Sequence, residues 1–300
     1  MRSIKMVDLQ AQYARLSSEI DQAIKQVLLQ GDFIQGSAVK QLESALSERY
    51  QVKNVISCAN GTDALQLAFM ALDLPKGSEI ITPAFSYAAL AEVLLLLELK
   101  PVFVEVDPAT FLMDVSLIEA MITGNTRAIA PVHLYGQMVS MEPLLALAKK
   151  HNLYVVEDAA QAIGAADAES RRACSIGDIG CLSFFPTKNL GAFGDAGMCV
   201  TNDAALAAKL AMLRVHGMEP KYYHQLIGGN FRLDELQAAV LVIKLKHLDA
   251  WTRGRQENAC FYFGAFERAG LKSTITLPAA MPGIRHIYNQ FIIRAPKRDA

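Results

Sequence analysis

The sequence is poor in several things at once. It holds 5 cysteines in 300 residues, at positions 58, 174, 181, 199 and 260. Their number is odd, no Cys-x-x-Cys occurs, and nothing has the spacing of metal ligands. That excludes a disulfide framework and a zinc module, and makes a reducing cytoplasm the expected home. Long apolar runs are also missing. The longest, Tyr87 to Leu99, is interrupted by Glu92 and Glu98, which suits a buried helix and not a membrane span. The stretch from Met1 to Asp8 lacks the apolar centre of a signal peptide. Charge of either sign is scarce, at 20% of residues with a net value of −1. No basic cluster is present to track a phosphate backbone, so no nucleic-acid partner is expected. Internal repeats and low-complexity segments are absent as well.

What remains is mostly apolar, at 52% of residues, the composition of a packed globular protein. The length allows one large domain, or a large domain with a smaller one. Short β-branched runs alternate with helix-length amphipathic segments. The runs Glu79–Thr82, Val102–Val106, Ala128–His133, Tyr154–Glu157, Cys181–Phe184 and Met198–Thr201 read as strands. Ala64–Leu74, Ala88–Leu97, Met141–His151 and Ala204–Val215 read as helices. Ile80-Ile81 and Val102-Phe103-Val104 are apolar on both faces, which predicts a mostly parallel sheet covered by helices on both sides, an α/β fold. Asp8 to Tyr50 reads as helix broken by Gly31 and Gly36. From Arg232 to Arg268 the texture changes to two long amphipathic segments, the first expected to lead from a large domain (1–230) to a smaller one (231–300). Asn289–Arg294 is strand-like, and the stop at Ala300 leaves it without a closing element, so the small domain is expected to be truncated.

Several segments carry chemistry, each beside a plainer alternative. Asn60-Gly61-Thr62-Asp63 runs into a helix. Its backbone N–H groups and the Thr62 hydroxyl suit a phosphate, or Thr62 or Asp63 simply caps the helix. Asp158 falls at the carboxyl end of a parallel strand, where α/β folds place ligands, or it caps a helix or pairs with an arginine. Gln161 either faces a ligand or lies on the surface. Lys188 follows a strand and precedes the glycine-rich Gly191–Gly197. A desolvated lysine there is a nucleophile, whereas a loop lysine is ordinarily solvated. Ser183, five residues earlier, suits a phosphate. Tyr87, in Pro83-Ala84-Phe85-Ser86-Tyr87, is either core or a flat platform for a heteroaromatic ring. Gly228-Gly229 form a tight turn that exposes Asn230. His133, His216 and His224 do not cluster. A carboxylate able to keep a pyridine nitrogen protonated, together with a Schiff-base lysine, is what pyridoxal phosphate chemistry needs.

In this order and spacing the segments resemble the sugar aminotransferases of the DegT/DnrJ/EryC1/StrS family, of the aspartate-aminotransferase fold type. The matching pieces are Asn60–Leu65, Thr82–Tyr87, Pro131–Gly136, Glu157–Gln161, Ser183–Lys188 and Gly229–Leu233, and the resemblance runs from about residue 6 onward. It implies a three-layer α/β/α large domain that binds pyridoxal 5′-phosphate. It implies that Lys188 holds the cofactor as an internal aldimine and moves the proton between the α-carbon and C4′. Asp158 would pair with the pyridine nitrogen, Gln161 lie near the phenolic oxygen, and Tyr87 stack on the ring. Gly61, Thr62 and Ser183 would bind the phosphate. Asn230 would reach the phosphate of the partner subunit, which makes a homodimer with shared sites. The partners implied are glutamate as amino donor and a nucleotide-linked keto sugar as acceptor. Cys58-Ala59-Asn60 and Leu134-Tyr135-Gly136-Gln137 lean toward 3-keto over 4-keto sugars. Family members extend past the point where this chain stops. Two readings stand beside this one: a dehydratase of the same family, against which Lys188 argues, and an inert truncated or partner subunit.

Overall fold

The computed structural model describes residues 5–297. Both chain ends, on which the leader and early-stop expectations rest, lie outside the described residues. The chain opens with two helices, α1 (Leu9–Gln30) and α2 (Ser37–Tyr50). Asp8 caps α1 by accepting from the Ala11 N–H at 3.0 Å. Gly31 ends it in the left-handed region at φ 69°. The cap of α2 comes from far along the chain: the buried Glu235 carboxylate accepts from the N–H groups of Gly36 (2.9 Å), Ala38 and Val39 (3.2 Å), an anion set on the positive end of a helix. A Cβ at position 36 would lie 2.6 Å from Asp32 Oδ2 and 2.8 Å from Glu235 Oε1, so any larger residue there would have to displace the capping carboxylate.

Seven strands form one sheet: β1 (Asn54–Cys58), β2 (Glu79–Pro83), β3 (Lys100–Val104), β4 (Thr126–Ile129), β5 (Tyr154–Asp158), β6 (Ile179–Ser183) and β7 (Gly197–Thr201), in the order β1-β7-β6-β5-β4-β2-β3. Only β7 runs against the others, pairing antiparallel with both β1 and β6. Every residue of β2 and β7 is buried, so both faces of the sheet are covered, as the doubly apolar runs require. The covering helices are α3 (Gly61–Leu72), α4 (Ala89–Leu96), α5 (Met141–His151) and α6 (Ala204–Leu213).

Several expectations need correction. The run Val102-Phe103-Val104 is not covered on both faces: β3 closes the sheet's edge and Phe103 is half exposed. Strand β4 stops at Ile129, short of His133, because Pro131 has no N–H to give to the ladder. Pairing resumes as an isolated bridge between Val132 and Asp158. Strand β1 carries no expectation at all, although its burial is nearly complete.

After the sheet come α7 (Glu235–Leu245) and α8 (Leu248–Arg268). Val240 of α7 packs with Leu16 and Ile20 of α1, so α7 belongs to the main body through its apolar face. Asn289–Arg294 is not a strand. Its only bridge joins Arg294 to Thr276, and side chains of α8 and neighbouring loops hold the residues just before and within it.

Candidate active site

Asp158 ends β5 with its backbone N–H on Pro131 O and its carbonyl accepting from the His133 N–H, both at 2.9 Å. Its side chain is buried. Among the described residues it caps no helix and meets no arginine; Oδ1 accepts from the N–H of Ala160 at 3.0 Å. Burial pushes the Asp158 carboxyl above its ordinary range, while the Ala160 N–H and the Lys188 charge pull the other way.

Beneath it, Glu157 points to the opposite side of the strand and is fully buried. It accepts from His133 Nε2 at 2.9 Å and from the N–H groups of Cys174, Ile176 and Gly177 at 2.9, 2.7 and 2.6 Å. Burial alone would raise its pKa; His133 and these N–H groups outweigh that and hold it lowered. His133 Nδ1 accepts from the Val139 N–H at 3.2 Å. That nitrogen must carry its lone pair, so the ring proton sits on Nε2, aimed at Glu157. This pair was invisible to sequence spacing. The one available signal was a charged residue inside the apolar run Val155-Val156-Glu157.

Lys188 lies in the loop between β6 and β7. The loop folds back on itself: Phe184 N–H to Ala196 O, Ala192 N–H to Phe184 O, and Lys188 N–H to Phe185 O. Gly191 sits so close that a Cβ would lie 2.3 Å from Pro186 O. Both ends of the loop share one rung, Ser183 opposite Gly197. Lys188 is half-buried. Desolvation lowers its pKa, and the Asp158 charge opposes that shift. The two groups sense one another without forming an ion pair.

The remaining corner is the start of α3. Asn60 caps it: Oδ1 accepts from the Asp63 N–H at 2.8 Å, and Nδ2 donates to the Asp63 carboxylate. With Asn60 as cap, Thr62 and Asp63 are not, and the N–H groups of Gly61 and Thr62 meet no acceptor among the described residues. A Cβ on Gly61 would stand 2.6 Å from Ser183 Cβ, and one on Gly197 would stand 2.2 Å from Asn60 O, so the helix start is pressed onto the rung that carries the lysine loop.

A cavity of about 470 Å³ joins these parts. Gly61, Thr62, Tyr87, Asp158, Gln161, Ser183 and Lys188 all line it. Tyr87 stands at its mouth, 78% exposed. Gln161 is not a surface residue: its Oε1 accepts from the Tyr135 N–H at 2.8 Å, which leaves the amide N–H groups as donors. Asn230 is not brought in. It lines a neighbouring polar cavity of about 530 Å³ with Arg232 and Asp234, and Asn60 and Asp195 border both spaces. Asp195 gives no signal in the sequence, being one polar residue in a glycine-rich stretch. The unpartnered N–H pair, the buried carboxylate and the desolvated lysine fit the phosphate, the ring nitrogen and the aldehyde of pyridoxal phosphate in kind. The cavity volume falls within the ordinary range for cofactor sites.

Comparison with known proteins agrees with this chemistry. The model of the DegT/DnrJ/EryC1/StrS aminotransferase family matches residues 14–300. A pleiotropic regulatory protein of Geobacillus stearothermophilus is 46% identical over 297 residues, 99% of this chain and 79% of its own length. The UDP-N-acetyl-3-dehydro-alpha-D-glucosamine 3-aminotransferase of Acidithiobacillus ferrooxidans is also 46% identical, over 298 residues, 99% of this chain and 79% of its own. Among solved structures, DesV of S. venezuelae in complex with a ketimine intermediate superposes with a TM-score of 0.95 at 39% identity, covering 100% of this chain and 80% of DesV.

Proposed function

The chain belongs to the DegT/DnrJ/EryC1/StrS aminotransferase family and is a pyridoxal-phosphate-dependent nucleotide-sugar aminotransferase, and from that premise we propose that it moves an amino group from glutamate to the 3-keto position of a nucleotide-linked sugar, with Lys188 and Asp158 as its catalytic pair. The observation that carries this reading is their convergence, with the free N–H groups of Gly61 and Thr62, in one cavity. The 3-keto acceptor draws support from the 3-dehydro sugar named for the Acidithiobacillus relative.

Bound in this cavity, pyridoxal phosphate supplies an electron sink for negative charge at the amino-bearing carbon. The residues divide the remaining work. Gly61, Thr62 and Ser183 hold the phosphate by N–H and hydroxyl donors at a helix start. The Asp158 carboxylate, buried and without a cation in contact among the described residues, would keep the ring nitrogen protonated. The Gln161 amide N–H groups would serve the ring hydroxyl, and Tyr87 would give a ring face its platform. Lys188 Nζ, which burial makes easier to deprotonate, would hold the cofactor and move a proton there. In this reading the chain works as a homodimer in the cytoplasm. Asn230 of the partner subunit enters the site across a two-fold interface, which suits a residue bordering its own site from outside. In this reading the large domain spans residues 1–230, and 231–300 form the connecting helices, of which α7 packs back on α1, and small-domain residues. Among the described residues no helix is long and apolar enough to cross a membrane.

The test is the visible spectrum of the purified protein with pyridoxal phosphate, before and after glutamate. A yellow band that bleaches on adding glutamate is the expected result. A band indifferent to glutamate would reject that donor, and Lys188→Ala with undiminished transaminase activity would reject the catalytic assignment.

A further inference from the structure

The residue after the nucleophile carries an anomaly. Asn189 is only 4% exposed, and its Oδ1 is buried without a hydrogen-bond partner among the described residues. Its other end is committed: Nδ2 donates to the carbonyl of Ile287 at 3.2 Å. Because that partner is an acceptor, the amide cannot be turned the other way round. A buried orphan acceptor costs stability, and an apolar residue at 189 would avoid the cost. The retained bond to Ile287 is therefore the feature to explain.

Ile287 belongs to an irregular strap, residues 286–290, that has no strand or helix of its own. Side chains satisfy its carbonyls one after another. Gln256 takes His286 O at 2.9 Å, Asn189 takes Ile287 O, and Arg255 takes Tyr288 O and Asn289 O at 3.2 and 3.1 Å. On the opposite side, the Ile287 N–H donates to Gly136 O at 2.8 Å, and Gly136 comes so near that a Cβ would lie 2.8 Å from the Asn289 nitrogen. The neighbour of Gly136 is Tyr135, whose N–H orients Gln161. The strap thus grips α8 through Arg255 and Gln256, the Gln161 side of the cavity through Gly136, and the Lys188 loop through Asn189.

We propose that Asn189 is a positioning residue, tying the Lys188 loop to the 286–290 strap so that α8 sets where the lysine stands relative to Gln161 and Asp158. This rests on the reading of Lys188 as the cofactor lysine. Neither Asn189 nor Arg255 lines the cavity, so both act only through what they hold. A misplacement of about 1 Å at a reacting group costs on the order of a hundredfold in rate.

The experiment uses the full chain loaded with pyridoxal phosphate and two variants, Asn189→Ala and Arg255→Met. Three quantities are read: the pH midpoint of the visible band, the rate at which borohydride fixes the cofactor on Lys188 as followed by mass spectrometry, and kcat against KM for the amino donor. Both variants are expected to move the midpoint in the same direction by about half a pH unit, roughly a threefold change in the protonation equilibrium. Both lower kcat by about tenfold or more without a matching rise in KM. The double variant adds less than the sum, because both cut one linkage. If Asn189→Ala does not fold, Arg255→Met with Gln256→Ala carries the same test from the far side of the strap. A shift with Asn189→Ala alone, absent from both strap-side variants, would overturn the linkage, as would variants that match the wild type in midpoint and fixation rate. A wild-type protein with no visible band would overturn the reading of Lys188 itself and the linkage with it.

Discussion

His133 Nε2 lies 2.9 Å from Glu157 Oε2, with both side chains fully buried and with Glu157 adjacent in sequence to Asp158. The folded-state pKa of Glu157 is held below its ordinary value. A depressed carboxyl contributes stability above its unfolded pKa and loses it as pH falls through the folded one. Denaturant melts across the acid range should therefore show stability falling below about pH 4.5, the unfolded value. Glu157→Gln should be less stable at neutral pH with a flatter acid limb. His133→Ala, which removes one of the four donors to the carboxylate and leaves the N–H groups of Cys174, Ile176 and Gly177, should cost about 1–3 kcal/mol.

Asp158 presents the opposite balance. Burial raises its pKa, so its ionised form costs the cofactor-free protein stability, and that cost grows as pH rises through the unfolded value toward the folded one. Asp158→Asn should melt higher than the wild type without cofactor at neutral pH, and lose transaminase activity by about a hundredfold or more. Calorimetry of the cofactor-free proteins beside a rate assay checks both halves.

At the start of α3, Gly61→Ala would set a methyl group 2.6 Å from Ser183 Cβ. The helix start or the lysine rung must give way, at about 1–3 kcal/mol of overpacking. Titration with pyridoxal phosphate should show weaker uptake, and denaturant melts a loss in that range.

Lys244 of α7 is buried with its ammonium on Gly191 O and 5.2 Å above the Phe193 ring. Burial pulls its pKa from 10.5 down to about 8. Between those two values the unfolded chain binds the extra proton, so folded stability should climb as pH rises from about 8 to 10.5. Lys244→Met should lack that climb in paired melts against the wild type.

Much of this was legible in the sequence where one local rule decides. Met141–His151 is helix over its expected span because its apolar spacing, the break at Asn152 and the basic last turn all agree. Asp158 stands at the end of β5 and Lys188 in the loop that follows β6, both placed by strands that hydrophobic periodicity locates. What stayed hidden depends on contacts between distant segments. His133 meets Glu157 only because β4 lies beside β5. Glu235 caps a helix 199 residues earlier in the chain than itself, at Gly36. Asn289–Arg294 has a strand's residue pattern but no neighbour to form a ladder with. Asn230 lies outside the cavity of its own chain, and nothing in Gly228-Gly229-Asn230 foretells that.

The reversal of β7 makes the lysine's segment a closed loop instead of a crossover. A crossover would leave its two ends free to drift on separate strands. Here both ends meet at Ser183 and Gly197, and the start of α3 rests on those same two residues through Gly61 and Asn60. The distance between the phosphate-binding corner and the lysine is thereby measured from a single origin. A breathing motion of the sheet would carry that corner and the base of the lysine loop together.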